Sequence, residues 1–431
     1  MNRTLILLAA MALLPAAARA ETVGDAIASA LATSPLLSGQ QNTARGIAEG
    51  AVQARAGWQP QVSVTASAEY QRQPYNSIDY GQGSVETNDT QASLNLTQPI
   101  YTGGKVSAQV RAADARTAAG QQGVRATETQ LIQSVIGAYM DVLRDSTILE
   151  IRRADLDTLR RQSGDTRARY KLGDAVTGTD VAQADTQQQA AVVALSQAQA
   201  QLDTSRAEYL AVVGDDAGDL AAPDQLPGLP GSLAEALRRA KQANPTLVQS
   251  EDTARASDAD IDTARAADMP NVSVQASFGT IGPASPFHTG QYQQAASAMI
   301  TVTQPIYTGG LVASQIRQAE DQHDADRDTA ANTARQAAQA ARGAWSNAQN
   351  GEDAIAAAKL AVTAAQTALR GAQAEYQYGL RSTLDVLIAD ENLRAAQVAL
   401  AQSEHDTIVA EAALLAATGD LDERTTLAHG W

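Results

Sequence analysis

Gln98-Pro99-Ile100-Tyr101-Thr102-Gly103-Gly104 recurs without a change as Gln304-Pro305-Ile306-Tyr307-Thr308-Gly309-Gly310. The repetition extends in both directions. Upstream, Ala54-Arg55-Ala56 and Pro60-Gln61-Val62-Ser63-Val64 correspond to Ala264-Arg265-Ala266 and Pro270-Asn271-Val272-Ser273-Val274, and Ser34-Pro35 corresponds to Asn244-Pro245. Downstream, Tyr170-Lys171-Leu172-Gly173 answers Tyr376-Gln377-Tyr378-Gly379, and Asp180-Val181 answers Asp385-Val386. The chain is therefore one unit written twice, residues 21–220 and 232–419. Each copy is far longer than the repeat of a solenoid. Residues 221–231, with three prolines and two glycines, read as the linker, and 420–431 as a polar C-terminal tail of little order.

Each copy reads helix–strand–strand–long helix–helix. A first helical segment (22–57 and 233–268) stops at a proline. Then Val62, Val64, Ala66, Ala68 and Tyr70 alternate with Ser63, Thr65, Ser67, Glu69 and Gln71. In the second copy Val272, Val274, Ala276 and Phe278 alternate with Ser273, Gln275 and Ser277. A period of two marks strands with unlike faces. The strands are placed at about 62–72, 90–101, 272–281 and 294–307, with polar loops over Pro74–Asp89 and Gly282–Gln293. No proline occurs from Lys105 to Arg169 or from Leu311 to Tyr378. At 1.5 Å per residue each stretch makes a helix of about 100 Å. Return helices are predicted over 180–213 and 383–417. There Val386, Leu393, Leu400, Thr407 and Leu414 recur every seven residues beside the small-residue row Ala389, Ala396, Ser403, Ala410 and Ala417. The first copy carries equivalent rows, Val181, Gln188, Leu195, Leu202, Tyr209 and Ala184, Ala191, Ala198, Ser205, Val212. Such heptads mean closely spaced coiled-coil packing. The predicted fold is mostly α with a small β part.

Composition narrows the function classes. With 32 Lys+Arg against 48 Asp+Glu, the net charge of −16 opposes a grip on nucleic acid phosphates. The absence of cysteine excludes disulfides, thiol nucleophiles and Cys-ligated metals. Arg3, the apolar run Thr4–Leu14, Pro15 and Ala18-Arg19-Ala20 form a signal peptide, residues 1–20, with cleavage expected after Ala20. Downstream no apolar run reaches the length of a membrane-spanning helix.

The strands are the membrane candidates. Each is close to the ten residues a tilted membrane strand needs. Six of the eleven tyrosines (Tyr70, Tyr75, Tyr80, Tyr101, Tyr292, Tyr307) and both phenylalanines, Phe278 and Phe287, lie in or beside them. Aromatics favour the bilayer interface. Four strands cannot close a barrel, and an open edge is not tolerated in lipid. At least two chains must contribute; the strands alone leave dimer, trimer and tetramer open.

No enzymatic or cofactor site is expected. Asp324, Asp326 and Asp328 beside His323 splay around a helix and lack the glycine of a calcium loop. Glu404-His405-Asp406 reads as a solvated helix face. The Gly-Gly pairs lack the following Gly-Lys-Ser/Thr of a phosphate loop.

The duplicated architecture, the Gln-Pro-Ile-Tyr-Thr-Gly-Gly turns, the Ala-Arg…Pro-x-Val strand entries and the Tyr-x-x-Gly…Asp-Val hairpin ends together resemble the TolC family of outer-membrane efflux proteins. The resemblance covers about Glu21 to Gly419. It implies a homotrimer with a twelve-stranded β-barrel among outer-membrane lipids, continued through the periplasm by a twelve-helix α-barrel. The function implied is a passive exit duct for efflux or type I secretion. The partners implied are a periplasmic adaptor (membrane fusion) protein and an energised inner-membrane RND or ABC transporter. The resemblance also places a channel gate at the periplasmic tips, with Tyr376 and Arg381 facing Thr179 and Asp180, and with Asp385 at the constriction. Gly173, Gly379 and Leu380 match the tips that contact the adaptor. Where the family carries a second acidic residue after Asp385, this chain has Ile388, with Asp390 nearby. The competing reading is a periplasmic coiled-coil scaffold or adaptor without a pore.

Overall fold

The computed structural model describes residues 20–77, 81–173, 176–223, 225–283 and 292–422. Of the expected signal peptide, 1–19 lie outside the described residues, as do 423–431 of the tail and 284–291 of the second loop. The elements are α1 (Val23–Thr33), α2 (Pro35–Ala56), β1 (Gln61–Ser77), β2 (Gly81–Tyr101), α3 (Lys105–Leu172), α4 (Gly178–Val213), α5 (Leu233–Ala243), α6 (Pro245–Arg265), β3 (Asn271–Pro283), β4 (Gln293–Thr303), α7 (Leu311–Gln377) and α8 (Thr383–Thr418). The expected first helical segments each divide in two. Ser34 and Asn244 are held extended (ψ 117° and 118°) because each precedes a proline. The chain falls into two compact units.

The unit made of 38–126 and 245–336 contains the sheet. Its order is β1-β2-β3-β4, every neighbour antiparallel, so the two copies of the repeat meet at β2–β3. The register separates the faces. Val62, Leu96, Ala276 and Ala298 lie in one cross-strand row, and Val64, Leu94, Phe278 and Ala296 in another. Between them runs Ser63, Asn95, Ser277 and Ser297 on the opposite face, where the Ser277 and Ser297 hydroxyls are 3.2 Å apart. Val62, Val64, Leu94 and Phe278 remain exposed within one chain.

Two strand expectations need correction. The loop expected over Pro74–Asp89 is largely paired strand: Pro74 faces Ser84, and Arg72 faces Glu86 at 3.5 Å. Pro74 lies near the end of β1, the outer strand of this sheet among the described residues, a position where proline is tolerated. Conversely β4 stops at Thr303 rather than 307, whereas β2 runs through the same motif to Tyr101. The difference is the partner. Pro99 and Tyr101 lie opposite Ser273 and Val272 of β3, with a register shift between them, while β4 has no neighbour on its outer side among the described residues.

The helices of this unit are tied by ion pairs, Arg55–Asp114 and Arg111–Asp262 at 2.6 Å, and Arg265–Glu320 at 3.0 Å. Gly103 and Gly104 take φ of 64° and 89°, and Gly309 and Gly310 take 63° and 83°. That left-handed pair lets the chain turn from strand into long helix.

The other unit, 1–37, 127–244 and 337–431, contains the two helical hairpins. Heptad residues Ala184, Ala191, Ala198, Leu202, Ser205 and Tyr209 of α4 are buried, as are Val386, Leu393, Thr407 and Leu414 of α8. Leu156, Leu159 and Ala191 pack with Leu387, joining α3 and α4 to α8. The linker is anchored. Leu226 is buried, and its N–H donates to the Glu411 carboxylate at 2.9 Å. The start of the expected tail is anchored too, Asp420 by Arg239 at 3.1 Å and the Leu421 carbonyl by Thr129 at 3.2 Å. At the other end Glu21 is clasped: Tyr209 donates to its carboxylate (2.6 Å), and the single Tyr139 hydroxyl proton is shared between the carbonyls of Glu21 (2.7 Å) and Ala221 (2.6 Å).

Candidate functional site at the hairpin tips

Both hairpins turn with the same chemistry. Gly173 and Gly379 each take φ 74° after the long helix. The return helices α4 and α8 then begin at capping boxes. Thr177 accepts from the Asp180 N–H while Asp180 accepts from the Thr177 N–H and hydroxyl at 2.7 and 2.8 Å. Ser382 and Asp385 repeat the arrangement at 3.0 and 2.8 Å. Backbone and side-chain bonds from Thr177 hold the Asp180 carboxyl below its ordinary range, and those from Ser382 do the same for Asp385. Residues 174 and 175 of the first tip lie outside the described residues.

Within one chain no bond among the described residues joins Tyr376 or Arg381 to Thr179 or Asp180. Arg381 donates to Glu375 at 2.7 Å, a bond that raises its pKa, and stands 3.9 Å from Asp385. Tyr376 packs on Leu369, Val386 and Leu393 of its own hairpin. Its hydroxyl accepts from Thr383 (3.4 Å) and from Arg169 at the end of α3 (3.3 Å), and the Arg169 guanidinium lies 5.1 Å from the ring centroid. Arg169 therefore links the first hairpin to the second. Sequence comparison of the two copies missed it, because the matched residue is its neighbour Tyr170. Thr179 is exposed on the first turn of α4. Leu172, Tyr378 and Leu380 are 85%, 82% and 75% exposed at the tips.

Above the tips, α3 and α8 share buried charge. Asp390 meets Arg394 at 3.2 Å, with Asp155 4.0 Å from the same guanidinium. Burial raises both carboxyls, and the Asp390 charge raises Asp155 further. Farther along, His405 is not on a solvated face as expected. It is largely covered and bonded to Asp141 at 3.0 Å and Asp406 at 2.8 Å. His323 sits against the Ala254 carbonyl at 3.1 Å.

The family profile described as "Outer membrane efflux protein" matches residues 26–215 and 236–420, one stretch in each copy of the repeat. The chain belongs to the outer membrane efflux protein family. It is 31% identical over 414 residues to the outer membrane efflux protein BepC of Brucella suis, covering 96% of this chain and 89% of that protein. It is 28% identical over 362 residues to the outer membrane protein TolC of Escherichia coli, covering 80% and 72%. Its fold matches that of a membrane protein from Pseudomonas aeruginosa (TM-score 0.82, 23% identity, 92% and 93% covered). It also matches VceC of Vibrio cholerae (TM-score 0.79, 24% identity, 92% and 96% covered). As a member of the efflux family this chain is a non-enzymatic outer-membrane protein of transport.

Proposed function

We propose that three copies of this chain form a passive exit duct. A twelve-stranded barrel would cross the outer membrane, and twelve helices would continue it as a tunnel through the periplasm. A periplasmic adaptor and an energised inner-membrane transporter would supply cargo and work. The carrying observation is the sheet: one face apolar and exposed, the other polar, and both outer edges without a partner among the described residues of one chain. That is one sector of a membrane barrel, since an open edge is not tolerated in lipid. A periplasmic scaffold or adaptor would have no use for a lipid-facing surface.

The hairpin tips are the gate and the adaptor surface in this reading. Exposed Leu172, Tyr378 and Leu380, carried round Gly173 and Gly379, offer an apolar contact. The Tyr376–Arg169 contact holds each copy's hairpins together. Thr179, and the Asp180 oxygen not used in its cap, face Arg381 of a neighbouring copy; Asp385 lines the constriction. Opening breaks these bonds one at a time, since none is buried.

Single-channel conductance in planar bilayers tests the gate. Arg381→Ser with Tyr376→Phe, and separately Arg169→Ala, are expected to raise it. Unchanged conductance in both would remove the tips from gating.

A further inference from the structure

α3, α7, α8 and the linker surround a cavity of about 600 Å³ within the unit of the helical hairpins. That volume suits a drug-sized molecule. Met140 and Leu143 of α3, Ile355 of α7, and Ala401 and Ile408 of α8 make much of its wall apolar. Glu352, Glu404 and Glu411 line it too.

The polar part of the wall offers acceptors. Thr147 and Thr407 donate their hydroxyl protons to the carbonyls of Leu143 (2.9 Å) and Ser403 (2.7 Å), which leaves oxygen lone pairs for a guest. The Gln225 amide donates to Glu352 at 2.9 Å. Both cations of the wall are already paired, Arg144 with Asp141 at 2.7 Å and Asp145 at 2.8 Å, and His405 with Asp141 at 3.0 Å and Asp406 at 2.8 Å. No ion pair among the described residues takes up Glu352 or Glu404. The carboxylates of Asp141, Asp145, Asp406, Glu352 and Glu404 therefore outnumber Arg144 and His405 even before Glu411 is counted. Burial holds the Glu411 carboxyl above its ordinary range, against the bonds from Leu226 and Gln225. We propose that this cavity binds an organic cation with an apolar body. Its N–H groups would donate to Glu352, Glu404 and the threonine oxygens while the body lies against Met140, Leu143, Ile355 and Ile408. An anion of the same shape would meet acceptors and like charge, and would be desolvated without compensation. The site is separate from the hairpin tips and does not rest on the barrel reading.

9-Aminoacridine, a fluorescent monocation at neutral pH, and anthracene-9-carboxylate, an anion of the same fused-ring shape, make a probe pair. Equilibrium dialysis of the full-length protein in detergent, with protein-free micelles as the blank, measures both. Saturable binding of 9-aminoacridine, one molecule per chain and at least about tenfold tighter than the anion, is expected. Glu352→Gln with Glu404→Gln keeps the shape of the wall and should weaken that binding at least about tenfold. Ile355→Trp, which fills the cavity, should abolish it. Equal binding of the two probes, no saturable binding, or binding that survives either variant unchanged would overturn the proposal. Glu352 and Glu404 are exposed, so the double glutamine variant decides alone if Ile355→Trp fails to assemble.

Discussion

Gln98 and Gln304 hold equivalent seats in the two halves of the chain. The Gln98 side-chain amide donates to the Trp58 carbonyl at 2.9 Å and that of Gln304 to the Asp268 carbonyl at 2.8 Å, each at the matching elbow between helix and strand. The repeated glutamine thus fastens the exit of one strand to the entry of the strand before it. Gln98→Ala and Gln304→Ala are each expected to lose about 1 kcal/mol. Amide exchange should quicken at the elbow touched and not at the other. Equal quickening at both elbows would contradict two separate fasteners.

Gly103 needs both a left-handed backbone and an empty Cβ position, because Met269 and the Ala266 carbonyl lie against it. Gly379 needs only the backbone, with open space around it. Gly379→Ala should therefore cost about 1–2 kcal/mol from the left-handed conformation alone. Gly103→Ala should cost more, since backbone must shift as well. Thermal midpoints of the two variants compare them directly, and an equal loss would place Met269 elsewhere.

His405 ties α8 to α3 in a pH-dependent way. Burial alone would lower its pKa, but the bonds to Asp141 and Asp406 prevail and hold it above its ordinary value of 6.5. A raised histidine contributes fully below its unfolded value and loses that contribution as pH climbs through the folded one. Asp141 is also buried, yet its bond to His405 and the charge of Arg144 hold it below 3.8, so its contribution fades only as pH falls through that lowered value. His405→Gln should therefore lower the thermal midpoint most near pH 5–6, by an amount equivalent to about 2 kcal/mol. The gap should narrow by pH 9. A difference that grew toward alkaline pH would mean that the imidazole is bound neutral.

The duplication made most of the fold legible. Both long helices were bounded by the proline-free stretches to within a few residues, and the heptad rows of α4 and α8 became the buried faces. The hairpin β1–β2 was underestimated, because Pro74 and the polar Asn88 and Asp89 resemble a loop until the outer-strand position of Pro74 and the partners Tyr70 and Glu69 of the other two are known. At the tips the sequence pointed to the turns, and the bonds within one chain involve further residues. Asp180 and Asp385 recur for local reasons, as capping boxes. The link between hairpins falls on Arg169, and its partner Tyr376 is 207 residues away along the chain. His405 looked exposed for the same reason: a helix face shows its neighbours only after the other helices are in place.

Among the described residues the sheet has four strands and no partner on either outer edge; in the proposed reading three copies close it into one barrel. Native mass spectrometry of the full-length protein, released from outer membranes in detergent, measures the copy number directly. A particle of three chains is expected. A stable single chain, or a particle of two, would contradict it.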